Sequence, residues 1–172
     1  GEAVKSLREK KRRSIKKGLC SNKPFAIMVP DIQAARAFCE ISSEEEKALL
    51  ERQRPIVLLE KKKGQQSIDG DVAPGNRRLG VMLPYTPLHC LLFHPHGTFN
   101  ALVMTSGNLS DEPIVVDNGE AIKKLSPIAD FFLLHDRAIY MRVDDSIVRI
   151  DGKAKRLVRR ARGFVPDVIP LD

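Results

Sequence analysis

The stretch Thr105-Ser-Gly-Asn108 has the residue types and spacing best suited to hold a charged ligand. It directly follows the apolar run 101–104, which reads as a strand, so its polar groups sit at a strand's C-terminal end, where α/β sheets present ligand-binding loops. Ser106 and Asn108 are two positions apart and can point the same way, and the glycine between them allows a phosphate to approach closely. Taken alone, the tetrapeptide reads as an ordinary turn. Competing motifs fare worse. Gly75 and Gly80 have the spacing of a phosphate-binding loop, but Val81 and Met82 stand where Lys and Ser/Thr are required. His89, His94 and His96 lack companion carboxylates or cysteines at ligand spacing, so a helix face plus a loop explains them better than a metal. Asp144 and Asp145 are adjacent and, along a strand, face opposite sides, which excludes a paired-carboxylate acid/base site. One of them can still face a cleft and hold a metal or a basic residue. The sequon Asn108-Leu-Ser110 carries meaning only in a secreted chain and reads as accidental.

Several elements must position these residues. Phe25-Ala-Ile-Met-Val29 reads as a strand ended by Pro30 and Asp31, with a helix beginning near Asp31. Ser42 and Glu45 have capping-box spacing for a second helix through Leu50. Pro55-Ile-Val-Leu-Leu59 reads as a buried strand. Residues 61–78, with Gly64, Gly70, Pro74 and Gly75 among polar neighbours, form a long connection expected to act as a mobile lid or binding loop. Residues 79–83, 131–134, 141–148 and 156–158 are further strand candidates, and helices are expected near 87–93 and over 118–125. Alternating strands and helices followed by consecutive strands predict a mixed sheet with helices packed on it.

A chain of 172 residues, 42% hydrophobic, can bury a sizeable core and suits one domain over residues 1–172. No apolar run approaches the roughly 20 residues of a membrane-spanning helix and no signal-peptide core opens the chain, which points to a cytoplasmic protein without membrane partners. Cys20, Cys39 and Cys90 are odd in number and widely spaced, as expected for reduced thiols. The net charge of +7 favours a polyanionic partner without identifying it. Basic residues crowd both ends, from Lys5 to Lys17 and from Lys153 to Arg162, and on charge alone each run reads as a solvated face.

Taken together, Lys11-x-Arg13, Lys23-Pro-Phe-Ala-Ile-Met28, Leu79-Gly-Val-Met-Leu-Pro-Tyr-Thr-Pro-Leu-His89, Thr105-Ser-Gly-Asn-Leu-Ser110, Asp144-Asp-Ser146 and Arg159-Arg-Ala-Arg-Gly163 resemble the YrdC-like domain of HypF-type NiFe-hydrogenase maturation carbamoyltransferases. The likeness runs over nearly the whole chain. Each motif is weak alone, and their order and spacing carry the family assignment. The KxR and SxN pairs are shared with threonylcarbamoyl-adenylate synthases, whereas Pro-Tyr-Thr-Pro-Leu-His and His135-Asp-Arg137 resemble the HypF branch, which favours carbamoyl chemistry.

The resemblance implies an α/β fold with a YrdC-like twisted mixed sheet, flanking helices and a basic concave cavity. It implies binding of ATP, with Mg, and of carbamate or carbamoyl phosphate, to form carbamoyl-AMP and pyrophosphate. It further implies partnership with other domains of a parent carbamoyltransferase and with a thiol-acceptor maturation protein. By the same resemblance Lys11 and Arg13 would contact phosphate and the carbamate end, Ser106 and Asn108 would hydrogen-bond the nucleotide or acyl-phosphate group, and Ser146 and Arg159 would add a phosphate-contacting hydroxyl and guanidinium. Residues 14–22 leave the choice of Lys11-x-Arg13 over Lys10-x-Arg12 open. The family's domain begins upstream with a Gly-rich strand and turn, so the chain is expected to lack an N-terminal segment. The alternatives are a nucleotide- or RNA-binding module without turnover, an inactive truncated fragment, and a threonylcarbamoyl-adenylate synthase-like enzyme. RNA ranks low: with no Trp and 5% aromatic residues, no aromatic cluster offers a stacking platform.

Overall fold

Local signals set most of the helices. In a computed structural model of the chain, which describes residues 1–11, 23–62, 68–94, 99–109 and 112–169, Asp31 caps helix α2 (Ile32–Phe38) by accepting from the Ala34 amide at 2.8 Å. Ser42 and Glu45 close the expected capping box on α3 (Ser43–Leu50). Thr86 caps α4 (Pro87–Leu92), whose first residue is a proline that needs no amide partner there. Asp117 caps α5 (Asn118–Leu125).

The strands are β1 (Ala26–Met28), β2 (Ile56–Glu60), β3 (Arg78–Met82), β4 (Leu102–Met104), β5 (Ile147–Asp151) and β6 (Ala154–Arg159). They form one mixed sheet in the order β4-β1-β3-β2-β5-β6, with β1/β3 and β2/β5 parallel and the remaining pairs antiparallel. Side chains alternate across it. Ile27, Val57, Leu59, Leu79, Val81 and Val148 point to one face and build the main core against α2 and α3. The opposite face divides in two. Met28 and Met82 pack with Phe93 at one end, while Ala26 and Gly80, register partners across β1 and β3, leave the other end shallow.

A further helix, α1 (Glu2–Lys10), occupies the basic stretch that charge alone assigns to solvent. Val4 and Leu7 pack against the main core. On the same side, Arg8 is buried over the Phe25 ring and donates to the Lys23 and Asp71 carbonyls at 3.2 and 3.1 Å. Lys5 and Lys10 face outward, so the solvated-face reading holds for them and fails for Arg8 and for Lys11, which follows the helix and is also buried.

Three other expectations are corrected. Residues 131–134 form no strand; Phe131 is 93% exposed and pairs with no strand among the described residues, so apolar character without a pairing partner does not make a strand. The strand expected over 141–148 begins only at Ile147, because the preceding residues turn along a cleft. The connection expected to be a lid is packed where it is described: a 3-10 turn (Gly70–Val72) carries Val72 and Ala73 into the core, and Lys61 donates to the Ala73 carbonyl at 2.8 Å. Its residues 63–67 lie outside the described residues.

Candidate functional site

A cleft of about 560 Å³ opens on the shallow end of the sheet. Ala26, Ile56, Leu58, Gly80 and Ile147 form its floor, and the smallness of Ala26 and Gly80 gives it depth. Because β4 runs antiparallel to β1, the C-terminal end of β4 meets the N-terminal end of β1 here, and Thr105-Ser-Gly-Asn108 leaves β4 at the rim.

That loop is tightly held. The Ser106 hydroxyl donates to Asn108 Oδ1 at 2.7 Å, and Asn108 Nδ2 donates to the Glu112 carbonyl at 2.6 Å. The Val115 amide donates to the Gly107 carbonyl at 2.9 Å, folding residues 112–115 back to make a second wall. Lys11, at the C-terminal end of α1 and only 4% exposed, donates from Nζ to the Ser106 and Asn108 carbonyls, both at 2.8 Å, and to Asn108 Oδ1 at 3.3 Å. Residues nearly a hundred positions apart thus meet. The ammonium sits against the loop's carbonyls and is not itself part of the cleft lining. Lys10 turns the other way and pairs with Asp130 at 2.8 Å on the surface. Arg13, and Arg12 of the alternative pair, lie outside the described residues, as do Ser110 and His96.

Arg159 lines the cleft opposite and pairs with Asp144 at 3.5 Å. Ser146 does not line it. Its buried hydroxyl accepts from the Ala161 amide at 2.7 Å and donates to the Arg162 carbonyl at 2.9 Å, so it is committed to the backbone rather than presented to a ligand. Ser146→Ala is expected to lower stability by roughly 1–3 kcal/mol in denaturant unfolding, the cost of stranding buried backbone groups; an unchanged midpoint would contradict this role.

The sequence missed the lining residues Glu112 and Arg142, which stand in no motif, and gave no site role to Lys23, although it opens the Lys23–Met28 motif. Among the described residues the lining carries three cations, Lys23, Arg142 and Arg159, and three carboxylates, Glu112, Asp144 and Asp145. The lining is therefore of mixed sign among the described residues, and the basic character expected of the cavity is not shown by them. Adjacency does not turn Asp144 and Asp145 to opposite faces: both line the cleft, because the backbone there is not yet strand, and each holds an arginine. No metal-binding group of three His, Cys, Asp or Glu side chains occurs among the described residues.

Behind Asp145 stands a second cluster. Arg162 donates to Asp145 at 2.8 Å and to the Gln53 and Arg54 carbonyls, while its guanidinium lies 3.6 Å from the Tyr85 ring centroid. Tyr85 in turn meets His89 edge-on at 4.5 Å. Burial and the nearby Asp145 charge raise the Tyr85 phenol above its ordinary value. Burial holds His89 below its own, so the unfolded chain binds that proton more readily. The stability His89 contributes as a neutral ring is present above about pH 6.5 and lost as pH falls. Between about pH 7 and 5 the unmodified chain should lose more stability than His89→Gln; parallel pH profiles would contradict the assignment.

The chain is similar to known proteins over most of its length. The Sua5/YciO/YrdC family model, whose description reads "Telomere recombination", matches residues 1–161. The Rhodobacter capsulatus protein named carbamoyltransferase HypF is 48% identical over 170 residues, which is 99% of this chain and 21% of that protein. A crystal structure of full-length HypF in the phosphate- and nucleotide-bound form is 46% identical with a TM-score of 0.85, covering 96% of this chain and 20% of that one. A crystal structure of P. abyssi Sua5 complexed with L-threonine shares the fold at 16% identity and a TM-score of 0.72, covering 93% of this chain and 44% of that one. The chain spans about a fifth of the length of the HypF relatives it matches.

Proposed function

This chain belongs to the Sua5/YciO/YrdC family, and on that premise we propose that its cleft binds ATP and supports formation of carbamoyl-adenylate, as one nucleotide-binding domain of a longer, cytoplasmic carbamoyltransferase of hydrogenase maturation. The observation that carries this reading is the fixing of Ser106 and Asn108 by Lys11 at the rim of a cleft deepened by Ala26 and Gly80 in its floor. A phosphate held there meets the loop's short polar groups and the facing Arg159.

In the proposed step a carbamate oxygen attacks the α-phosphorus of ATP and the bond to the pyrophosphate oxygen breaks, giving carbamoyl-AMP and pyrophosphate. Such a step asks the protein for positioning and for cations near the phosphates rather than for a nucleophile of its own. Lys11 serves by holding the loop, Arg13 and Arg159 by meeting charge, and Ser146 by holding the backbone between Arg159 and Arg162. Magnesium enters as the counter-ion of ATP, because Asp144 and Asp145 are taken up by arginines, and no step is routed through it. Carbamate or carbamoyl phosphate, the other domains of the parent and a thiol-acceptor maturation protein complete the proposed partners.

The test is to incubate the chain with ATP and carbamate and to measure pyrophosphate and the mass of the adenylate. Carbamate-dependent pyrophosphate is expected. ATP binding without it would leave a nucleotide-binding module, and pyrophosphate appearing only with L-threonine and bicarbonate would favour the threonylcarbamoyl alternative.

A further inference from the structure

We propose that Arg142 is a phosphate-binding residue of this cleft, an inference that rests on the nucleotide reading above. Its place is built rather than incidental. Nε donates to the Ile114 carbonyl at 2.8 Å, tying the wall that carries Asp144 to the wall folded back from the Thr105-Ser-Gly-Asn108 loop. That bond uses one of the five N–H donors of a guanidinium and holds the plane of the group. The other four have no partner among the described residues.

The charge is also unspent. Asp144, two positions on, pairs with Arg159 at 3.5 Å, and Asp145 pairs with Arg162 at 2.8 Å. Among the described residues no carboxylate forms an ion pair with Arg142. Of the three lining cations, Arg159 is therefore partly neutralised. Lys23 carries no ion pair among the described residues, but nothing there fixes its ammonium. Arg142 alone combines an open charge with a fixed orientation. A guanidinium whose Nη1/Nη2 edge is free suits the paired oxygens of a phosphate, which a point-charge ammonium does not match in geometry. Lys11 and Arg142 thus act at opposite ends of one loop unit: Lys11 holds its carbonyls from behind, and Arg142 anchors on its returning segment and faces the ligand.

The test is calorimetric titration of the full 172-residue chain with ATP, AMP and adenosine, for Arg142→Gln and Arg142→Lys. Arg142→Gln is expected to weaken ATP about tenfold and leave adenosine within about twofold, with Arg142→Lys intermediate because it keeps the charge and loses the fork. AMP weakened as much as ATP would place the contact on the α-phosphate, and loss confined to ATP would place it on the outer phosphates; either supports the inference. Equal losses for adenosine and ATP would overturn it, since that would mark a wall tie only, and so would unchanged ATP affinity in Arg142→Gln. Absence of ATP binding by the unmodified chain would instead sink the nucleotide reading itself.

Discussion

Replacing Lys11 with methionine is expected to abolish measurable ATP binding, a loss on the order of 100-fold or about 2.8 kcal/mol. The methionine keeps the length of the stem and removes the ammonium. At least three oxygens, the Ser106 and Asn108 carbonyls and Asn108 Oδ1, then lose a donor that is itself almost wholly buried. Hydrogen bonds to charged groups contribute about 1.5–3 kcal/mol each, and stranded buried acceptors add to their loss, so stability should fall on the order of 3 kcal/mol as well. Lys10→Met is the control. Its ion pair with Asp130 is at the surface, where removal changes stability by about 0.5 kcal/mol or less. Calorimetry and denaturant unfolding on both variants check this. Equal effects of the two substitutions would show that general positive charge on α1, rather than the Lys11 anchor, governs the loop.

The second large effect is steric. A Cβ added at Gly80 would stand 3.0 Å from the Ile56 Cγ2 methyl and 3.4 Å from the Ala26 Cβ, at the bottom of the cleft. Gly80→Val adds two further methyl groups there while suiting a strand centre, where β-branched residues are favoured. ATP and adenosine should both weaken at least tenfold, because the lost quantity is space rather than charge. That pattern separates it from Arg142→Gln, which spares adenosine. A Gly80→Val chain that melts normally and binds adenosine as before would place the base elsewhere.

Much of the scaffold was legible because its signals are local. Asp31 caps the helix expected to begin near it, Ser42 and Glu45 close the capping box that their spacing announces, and the apolar runs 55–59 and 79–83 contain the strands β2 and β3. Helix α1 was not legible, since only Val4 and Leu7 mark its packed face among many cations and tertiary contact decides its burial. Residues 131–134 erred the other way, because an apolar run cannot reveal that no strand lies beside it. The Ser106 and Asn108 pair could be read from its place after a strand. That Lys11 meets it came only through family resemblance. Arg142 is one of 29 Lys and Arg residues, and nothing in sequence separates it from those on the surface; only the Ile114 carbonyl across the cleft does. Net charge sums over the chain and says nothing of one place, whereas Glu112, Asp144 and Asp145 gather beside the cations in the cleft.

The central claim, that this cleft is where the nucleotide binds, is tested most directly by titrating ATP into the isotopically labelled chain and following its backbone amide resonances. The account predicts saturable shifts concentrated at Ala26, Gly80, the Ser106–Asn108 loop and the segment from Arg142 to Asp145. Shifts confined to residues 154–158 of the exposed strand β6, or none at millimolar ATP, would contradict it.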